Sequence, residues 1–229
     1  MRFYTNVQMV GDNFLVRGYE DGKHFATREK FYPTLFVDSK RKTKYKTLDG
    51  SPVEPIEPGT VRDCREFIKK YNDVENFNVY GNERFIYQYI SDKYPETELK
   101  FDIEQIKLTT IDIEVKSEYG FPDVESCAEE ILLITLQDYT TKQIRTWGLG
   151  AFNNKQENVI YKSFKTEYEL LTDFINWWMI EDNTPEVITG WNSKLYDIPY
   201  LCRRIDRILG EKLKKRMSPW GLVTEEETF

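Results

Sequence analysis

The sequence predicts an α+β / α/β chain in two parts: an N-terminal, mostly antiparallel β domain with a short helix over residues 1–102, and a layered α/β domain over residues 103–229. Three observations lead to this reading. Short β-branched and aromatic runs separated by glycine-containing turn signals fill the first stretch of the chain. The polar segment Pro95-Glu96-Thr97-Glu98 marks a boundary near residue 100. Beyond it, strand-like runs are followed by segments with helical periodicity. With 229 residues, 40% of them hydrophobic and 15% aromatic, the chain has ample material for a buried core and lacks the composition of a disordered one.

Phe3 to Val10 and Phe14 to Tyr19 read as strands, with Gly11-Asp12-Asn13 and Glu20-Asp21-Gly22 as the turns of an antiparallel meander reaching about Phe36. Pro52, Pro55 and Pro58 hold the stretch from Leu48 to Gly59 extended. Thr60 then stands as an N-cap, with Asp63 in the first turn and Cys64, Phe67, Ile68 and Tyr71 at helical spacing, so a short helix is expected to end near Asn72. Tyr80, Phe85, Ile86, Tyr87, Tyr89 and Ile90 form an aromatic-rich segment. At this density they are expected in a core; stacking on bases beside nearby lysines is the alternative.

The second part opens with Thr109-Thr110-Ile111-Asp112-Ile113-Glu114-Val115. Strand alternation puts Asp112 and Glu114 on one face and Ile111, Ile113 and Val115 on the other. Glu130 to Tyr139 and Gln143 to Leu149 read as a hairpin that continues an antiparallel sheet. Thr166-Glu167-Tyr168-Glu169 is a capping box, followed by the apolar face Leu170, Leu171, Phe174, Ile175, Trp178 and Met179 of an amphipathic helix. After Asn183-Thr184-Pro185, the short strand Glu186 to Gly190 is entered through a helical crossover. A last helix begins at Asp197, carries Pro199, Leu201, Ile205 and Ile208, and ends at Gly210. The expected order is therefore three strands, helix, strand, helix. No internal repeat or low-complexity tract interrupts it.

Composition narrows the chemistry. His24 is the only histidine, so a Ser-His-Asp or Cys-His mechanism, or a His-rich zinc site, would rest on that residue alone. Cys64, Cys127 and Cys202 are widely spaced and odd in number, as reduced thiols are. Hydrolysis would need carboxylates. The net charge of -7 argues against a strongly basic nucleic-acid binder, yet leaves room for local patches such as Lys40 to Lys46 and the series Arg203, Arg204, Arg207, Lys212, Lys214, Lys215 and Arg216. A solvated loop and a helix face are the plain reading of those two. No apolar run reaches the roughly 18 residues of a membrane helix and the N-terminus has no signal-peptide h-region, so a cytoplasmic protein with no membrane partner is expected.

The acid pair Asp112 and Glu114 taken alone suits an edge strand with solvated carboxylates. A third acid, Asp197, follows the Glu186 to Gly190 strand, where open α/β sheets place ligand sites, although it also suits an N-cap. Three carboxylates are about what a pair of Mg²⁺ ions takes when water and substrate phosphate supply the other ligands.

Asp112-Ile113-Glu114-Val115 resembles the first exonuclease motif, and Asn192-Ser193-Lys194-Leu195-Tyr196-Asp197 the second, of family B DNA polymerases with 3′-to-5′ proofreading activity. Thr189-Gly190-Trp191-Asn192, Tyr196-Asp197-Ile198-Pro199-Tyr200, Arg207-Ile208-Leu209-Gly210-Glu211, Arg216-Met217-Ser218-Pro219 and Gly120-Phe121-Pro122 are similar to the T4-like phage branch of that family, and the likeness runs along the whole chain. The resemblance implies a ribonuclease-H-like mixed-sheet exonuclease domain in the second part, with Mg²⁺ or Mn²⁺ in a two-metal site held by the catalytic residues Asp112, Glu114 and Asp197. It further implies that Asn192 and Tyr196 position the terminal nucleotide and that Phe121 packs on a base of the frayed strand. The implied partners are the 3′ end of single-stranded DNA, primer-template DNA and the remaining polymerase segment, in the cytoplasm of an infected bacterial host.

The family's third exonuclease motif, Tyr-x-x-x-Asp, is not found after Asp197: Tyr200 is followed by Arg204, and the later acids are Asp206, Glu211, Glu225, Glu226 and Glu227. Asp206 reads instead as an intrahelical salt-bridge partner. Palm, fingers and thumb motifs are absent too. The expectation is a truncated exonuclease domain, from an expressed piece or a split polymerase gene, with weak or no activity alone. The rival expectation is a non-catalytic module whose N-terminal domain contacts RNA or template and whose remainder docks to a catalytic partner chain.

Overall fold

The computed structural model describes residues 1–81, 83–95, 100–118 and 120–224. The chain forms two compact units, Met1–Asp102 and Ile103–Phe229. Glu96 to Glu98, part of the polar stretch read as a boundary, and the late acids Glu225, Glu226 and Glu227 lie outside the described residues.

In the first unit, β1 (Arg2–Val10), β2 (Asn13–Glu20) and β3 (Lys23–Lys30) form the expected antiparallel meander, with a register shift between Tyr4 and Asn6. The two strands β1 and β2 approach so closely that a Cβ at Gly18 would lie 2.1 Å from the Phe3 carbonyl oxygen. A second antiparallel sheet has the order β5-β6-β4-β7, built from β4 (Leu35–Asp38), β5 (Tyr45–Lys46), β6 (Pro52–Ile56) and β7 (Val79–Tyr80). Helix α1 (Val61–Tyr71) starts at a reciprocal box in which the Thr60 hydroxyl accepts from the Asp63 amide and the Asp63 carboxylate accepts from the Thr60 amide. Helix α2 (Phe85–Lys93) carries the aromatic-rich segment: Phe85 and Tyr89 enter the core with Phe14, Val16, Leu35 and Val61, while Tyr87 faces water. The expectation from aromatic density, a mainly structural role, thus holds for Phe85 and Tyr89.

In the second unit, a five-stranded mixed sheet has the order β11-β10-β9-β8-β12. β8 (Leu108–Val115), β9 (Ile131–Asp138) and β10 (Ile144–Leu149) are antiparallel neighbours, whereas β11 (Val159–Phe164) runs parallel to β10 and β12 (Val187–Thr189) parallel to β8. β11 corrects the expected order, which had three strands before the helix. Its Lys162 and Ser163 face solvent at the sheet edge, so the segment lacks the alternation that marks a half-buried strand. α3 (Glu167–Trp178) begins at the capping box of Thr166 and Glu169 and leads to β12 at the far edge. α4 (Asp197–Leu209) ends at Gly210, whose φ is +90°, and α5 (Glu211–Lys214) follows.

The core joins Ile111, Ile113, Ile134 and Trp147 of the sheet to Leu170, Leu171, Phe174 and Trp178 of α3 and to Tyr200, Leu201 and Ile205 of α4. Because Ile111 and Ile113 point into this core, Asp112 and Glu114 must point to the opposite, exposed face of β8. β8 lies between β9 and β12 rather than at the sheet's end, but β12 covers it only from Leu108 to Thr110, so the segment that carries the acid pair is open on that side. None of the helices among the described residues is long and apolar enough to cross a membrane.

Candidate active site

β12 pairs with β8 only as far as Thr110. Just beyond that point, the Asp197 carboxylate receives the Ile113 amide, with Oδ1 accepting at 3.1 Å. The acid is 5% exposed. This corrects the N-cap reading of Asp197: it is the first residue of α4, the cap position belongs to Tyr196, and no side chain caps the helix there. Burial raises the pKa of Asp197 above its ordinary value and the charge of Asp112 pushes the same way, while the Ile113 amide opposes them. Asp112 and Asp197 are thus near enough to feel each other, and Asp197 is hooked to the backbone of the residue that separates Asp112 from Glu114.

The turn that delivers Asp197 is close-packed. A Cβ at Gly190 would meet the Ile111 carbonyl oxygen at 2.5 Å, so the missing side chain lets the turn lie directly on β8. The Asn192 carbonyl accepts from the Leu195 and Tyr196 amides at 3.1 and 2.9 Å, and the Ser193 carbonyl accepts from Ile198 at 3.0 Å. Asn192 and its neighbour Trp191 are exposed; Trp191, fully so, is a feature of this turn that sequence reasoning did not single out.

The Tyr196 ring stands between Phe121, 4.6 Å away centroid to centroid, and Tyr200, 5.5 Å away. Burial and then the charge of Asp197 raise the Tyr196 phenol pKa, with Glu129 and Glu114 adding to the effect. Phe121, from the loop between β8 and β9, is 79% exposed. The structure therefore sets Asp197, Tyr196 and Phe121 together at the start of α4 and bonds Asp197 to the β8 backbone between Asp112 and Glu114, with Asn192 on the turn leading in. Among the described residues, however, no group of three His, Cys, Asp or Glu side chains is placed so that it could hold a metal ion.

Two other readings change. Arg204, taken with a basic patch, is buried: its guanidinium meets Glu167 of α3 in a two-pronged pair at 2.7 and 2.6 Å and donates to the Cys127 and Ala128 carbonyls. Asp206 pairs with Lys214 of α5 at 2.5 Å rather than within its own helix, because Gly210 turns α5 back beside α4. Neither partner was accessible to spacing rules, which describe one helix at a time.

A mixed sheet backed by two helices, with exposed paired acids on β8 and a buried acid hooked beside them, defines a carboxylate-bearing α/β domain. A family profile described as "DNA polymerase family B, exonuclease domain" matches residues 60–228, and the chain belongs to that family. Among curated proteins, the DNA-directed DNA polymerase of Escherichia phage RB69 is 31% identical over 95% of this chain and 27% of its own length, and that of Enterobacteria phage T4 is 31% identical over 96% and 27%. The DNA polymerase catalytic subunit of Human herpesvirus 6A is 35% identical over 43% of this chain and 10% of its own. The chain spans about a quarter of the length of the phage relatives. Its mixed α+β architecture is that of the family's exonuclease region, and exonuclease domains of this family are generally metal-dependent.

Proposed function

We propose that this chain is the N-terminal and exonuclease portion of a T4-like phage family B DNA polymerase, and that its part in the enzyme is 3′-to-5′ proofreading hydrolysis of single-stranded DNA ends. The observation that carries the reading is the bond from the Ile113 amide to Asp197, which fixes a third carboxylate beside the residue flanked by Asp112 and Glu114. Asp112, Glu114 and Asp197 supply the hard oxygen donors that Mg²⁺ or Mn²⁺ prefers, and they would hold the ions. When bound, such ions activate water and stabilise the departing 3′ oxygen. The chain's own residues do the rest. Tyr196 and Asn192 place the terminal nucleotide, and Phe121 offers a ring to an unpaired base, which favours frayed ends because a mismatch costs less to unstack. The DNA partners are a single-stranded 3′ end and primer-template, and the protein partner is the remaining polymerase segment, in the cytoplasm of the infected host.

Because Asp112, Glu114 and Asp197 are not placed as a metal-ready cluster among the described residues, the chain alone is expected to degrade DNA weakly or not at all. The test is degradation of a 5′-labelled single strand with Mg²⁺ or Mn²⁺, by this chain alone and after mixing with the downstream segment of a T4-like polymerase. Activity on mixing that vanishes with Asp112→Ala supports the reading. Robust activity of the chain alone overturns the expectation of weak activity, and inactivity on mixing, with both pieces folded, counts against the assignment.

One observation favours a second role for the first unit. Tyr45 of β5, Phe36 of β4 and Tyr80 of β7 lie across one sheet, with Phe36 and Tyr45 rings 5.2 Å apart and Phe36 paired in register with Tyr80. Beside them runs the exposed basic stretch Lys40 to Lys46. Aromatics on a sheet face next to cations suit single-stranded RNA or template DNA. Loss of binding to a labelled single strand on Tyr45→Ala, with the second unit's site intact, would support this; unchanged binding would remove it.

A further inference from the structure

The loop between β8 and β9 has a fixed heel and a free toe. At the heel, three arginines of α4 hold the carbonyls of Val124 and of Ser126 to Ala128. Arg203 donates from Nη1 to Val124 at 3.0 Å, Arg204 to Cys127 and Ala128 at 3.0 Å each, and Arg207 to Ser126 at 2.9 Å and Cys127 at 3.3 Å. Cys127 itself has a φ of +46°, which L residues rarely adopt, and its Sγ donates to the Tyr200 carbonyl at 3.3 Å. Strained backbone of this kind persists only where its surroundings fix it, and here the surroundings are arginine side chains and a thiol contact. At the toe, Gly120 has a φ of +111° with open space around it, and Phe121 is largely exposed, resting on Tyr196.

The same helix that grips the heel begins with Asp197, directly after Tyr196. α4 is therefore a common frame for both rings of the stack and for the buried acid. Arg204 is held by Glu167 and belongs to the core. Arg207 is different: it is exposed, and its guanidinium donates to the Ser126 and Cys127 carbonyls of the loop.

We propose that Arg207 is a positioning residue for single-stranded DNA: by holding the Ser126 and Cys127 carbonyls it keeps the loop heel in place, so that Phe121 presents its ring over Tyr196, where an unpaired terminal base stacks. This rests on the proofreading reading of the site. Arg207 acts through Phe121 and touches no DNA. A lysine offers a single point charge on a flexible stem and replaces the two-carbonyl grip only in part.

The test uses the whole chain, with hydrogen exchange of the loop amides and binding of a 5′-fluorescein single-stranded oligodeoxynucleotide as its two measurements. In Arg207→Ala, exchange of amides over residues 124–128 should quicken about tenfold, the scale of one hydrogen bond to a charged group, and oligonucleotide affinity should fall about as much as in Phe121→Ala. Phe121→Ala should leave exchange at the heel unchanged. The double variant should bind no more weakly than Phe121→Ala alone, and Arg207→Lys should restore part of both signals. Unchanged exchange in Arg207→Ala would overturn the clamp and leave the site reading standing. Additive losses in the double variant would overturn it in favour of direct contact between Arg207 and phosphate. Affinity indifferent to Phe121→Ala would overturn the site reading and the positioning role together.

Discussion

Asp197 Oδ1 accepts the Ile113 amide at 3.1 Å, joining residues 84 positions apart in the sequence. A strand amide beyond the reach of its neighbour needs an acceptor, since a buried donor left unpaired is costly. Asp197 meets that need and is itself confined by doing so. A structural requirement of β8 therefore places an acid beside Asp112 and Glu114, and this one contact locks the start of α4 to that strand.

Replacing Asp197 by Asn should stabilise the protein at neutral pH while abolishing its contribution to DNA hydrolysis. The folded-state pKa of Asp197 is raised above its ordinary value of 3.8, chiefly by burial. Stability from a group with a raised pKa is full below the unfolded value and is lost as pH climbs through the folded one. The contribution of Asp197 should thus be lost as pH rises from acid toward neutral through that window, while carboxylates with lowered pKa values such as Asp63 and Asp123 act in the opposite sense. Asp197→Asn keeps an oxygen for the Ile113 amide and has no proton to lose, so its thermal midpoint should gain on that of the wild type as pH climbs through that range and lie higher at neutral pH. A lower midpoint at neutral pH would contradict this.

Removing Glu167 should be severely destabilising. It faces Arg204 with both oxygens, and its Oε1 also accepts the Ile131 amide at 2.9 Å, with both side chains buried. Glu167→Ala strands a buried guanidinium and a strand amide, a loss of about 3–5 kcal/mol. Glu167→Gln, which can still accept from both, should lose clearly less. Denaturant titration followed by tryptophan fluorescence separates the two.

Gly190→Ala tests the seat of the turn. Its new methyl group would fall 2.5 Å from the Ile111 carbonyl oxygen, backbone that cannot swing aside. The turn must lift from β8, with a cost of about 1–3 kcal/mol and displacement of Asn192, Tyr196 and Asp197. The expected signature is a larger loss of DNA binding or hydrolysis than of thermal stability. Full activity in this variant would show that the close approach is dispensable.

In the first unit, Thr60→Ala removes the hydroxyl that caps α1 and should cost about 1 kcal/mol. Thr60→Ser should be close to neutral. Because the cap serves α1 alone, hydrogen exchange should quicken in residues 61–65 and leave α4 unaffected.

Much of the local structure was legible because its causes are local. Thr60 and Thr166 cap their helices through residues three positions on, and spacing rules see that distance. The alternation from Thr109 to Val115 was enough to separate Ile111 and Ile113 from Asp112 and Glu114, since a strand has no other way to arrange them. β11 escaped the same reasoning: as an edge strand, it draws its order from pairing with β10 and not from a periodic pattern of its own. Arg204 and Asp206 looked like members of a basic helix surface, yet their partners Glu167 and Lys214 lie on other helices, where no spacing rule within α4 reaches.

By itself the sequence determined many of the strands and helices, among them β1, β2, β8, β9, α1, α3 and α4, which of their faces are apolar, and which exonuclease motifs the chain carries, because each depends on side chains within a few residues of one another. Only the tertiary structure decided that Asp197 is a buried acid bound to β8 rather than a helix cap, that Phe121 rests on Tyr196, and that arginines of α4 grip the loop bearing Phe121. Those outcomes depend on which amides and carbonyls are left unpaired once the sheet has formed. Partners that lie some 80 positions apart in the sequence meet them only after the chain has packed.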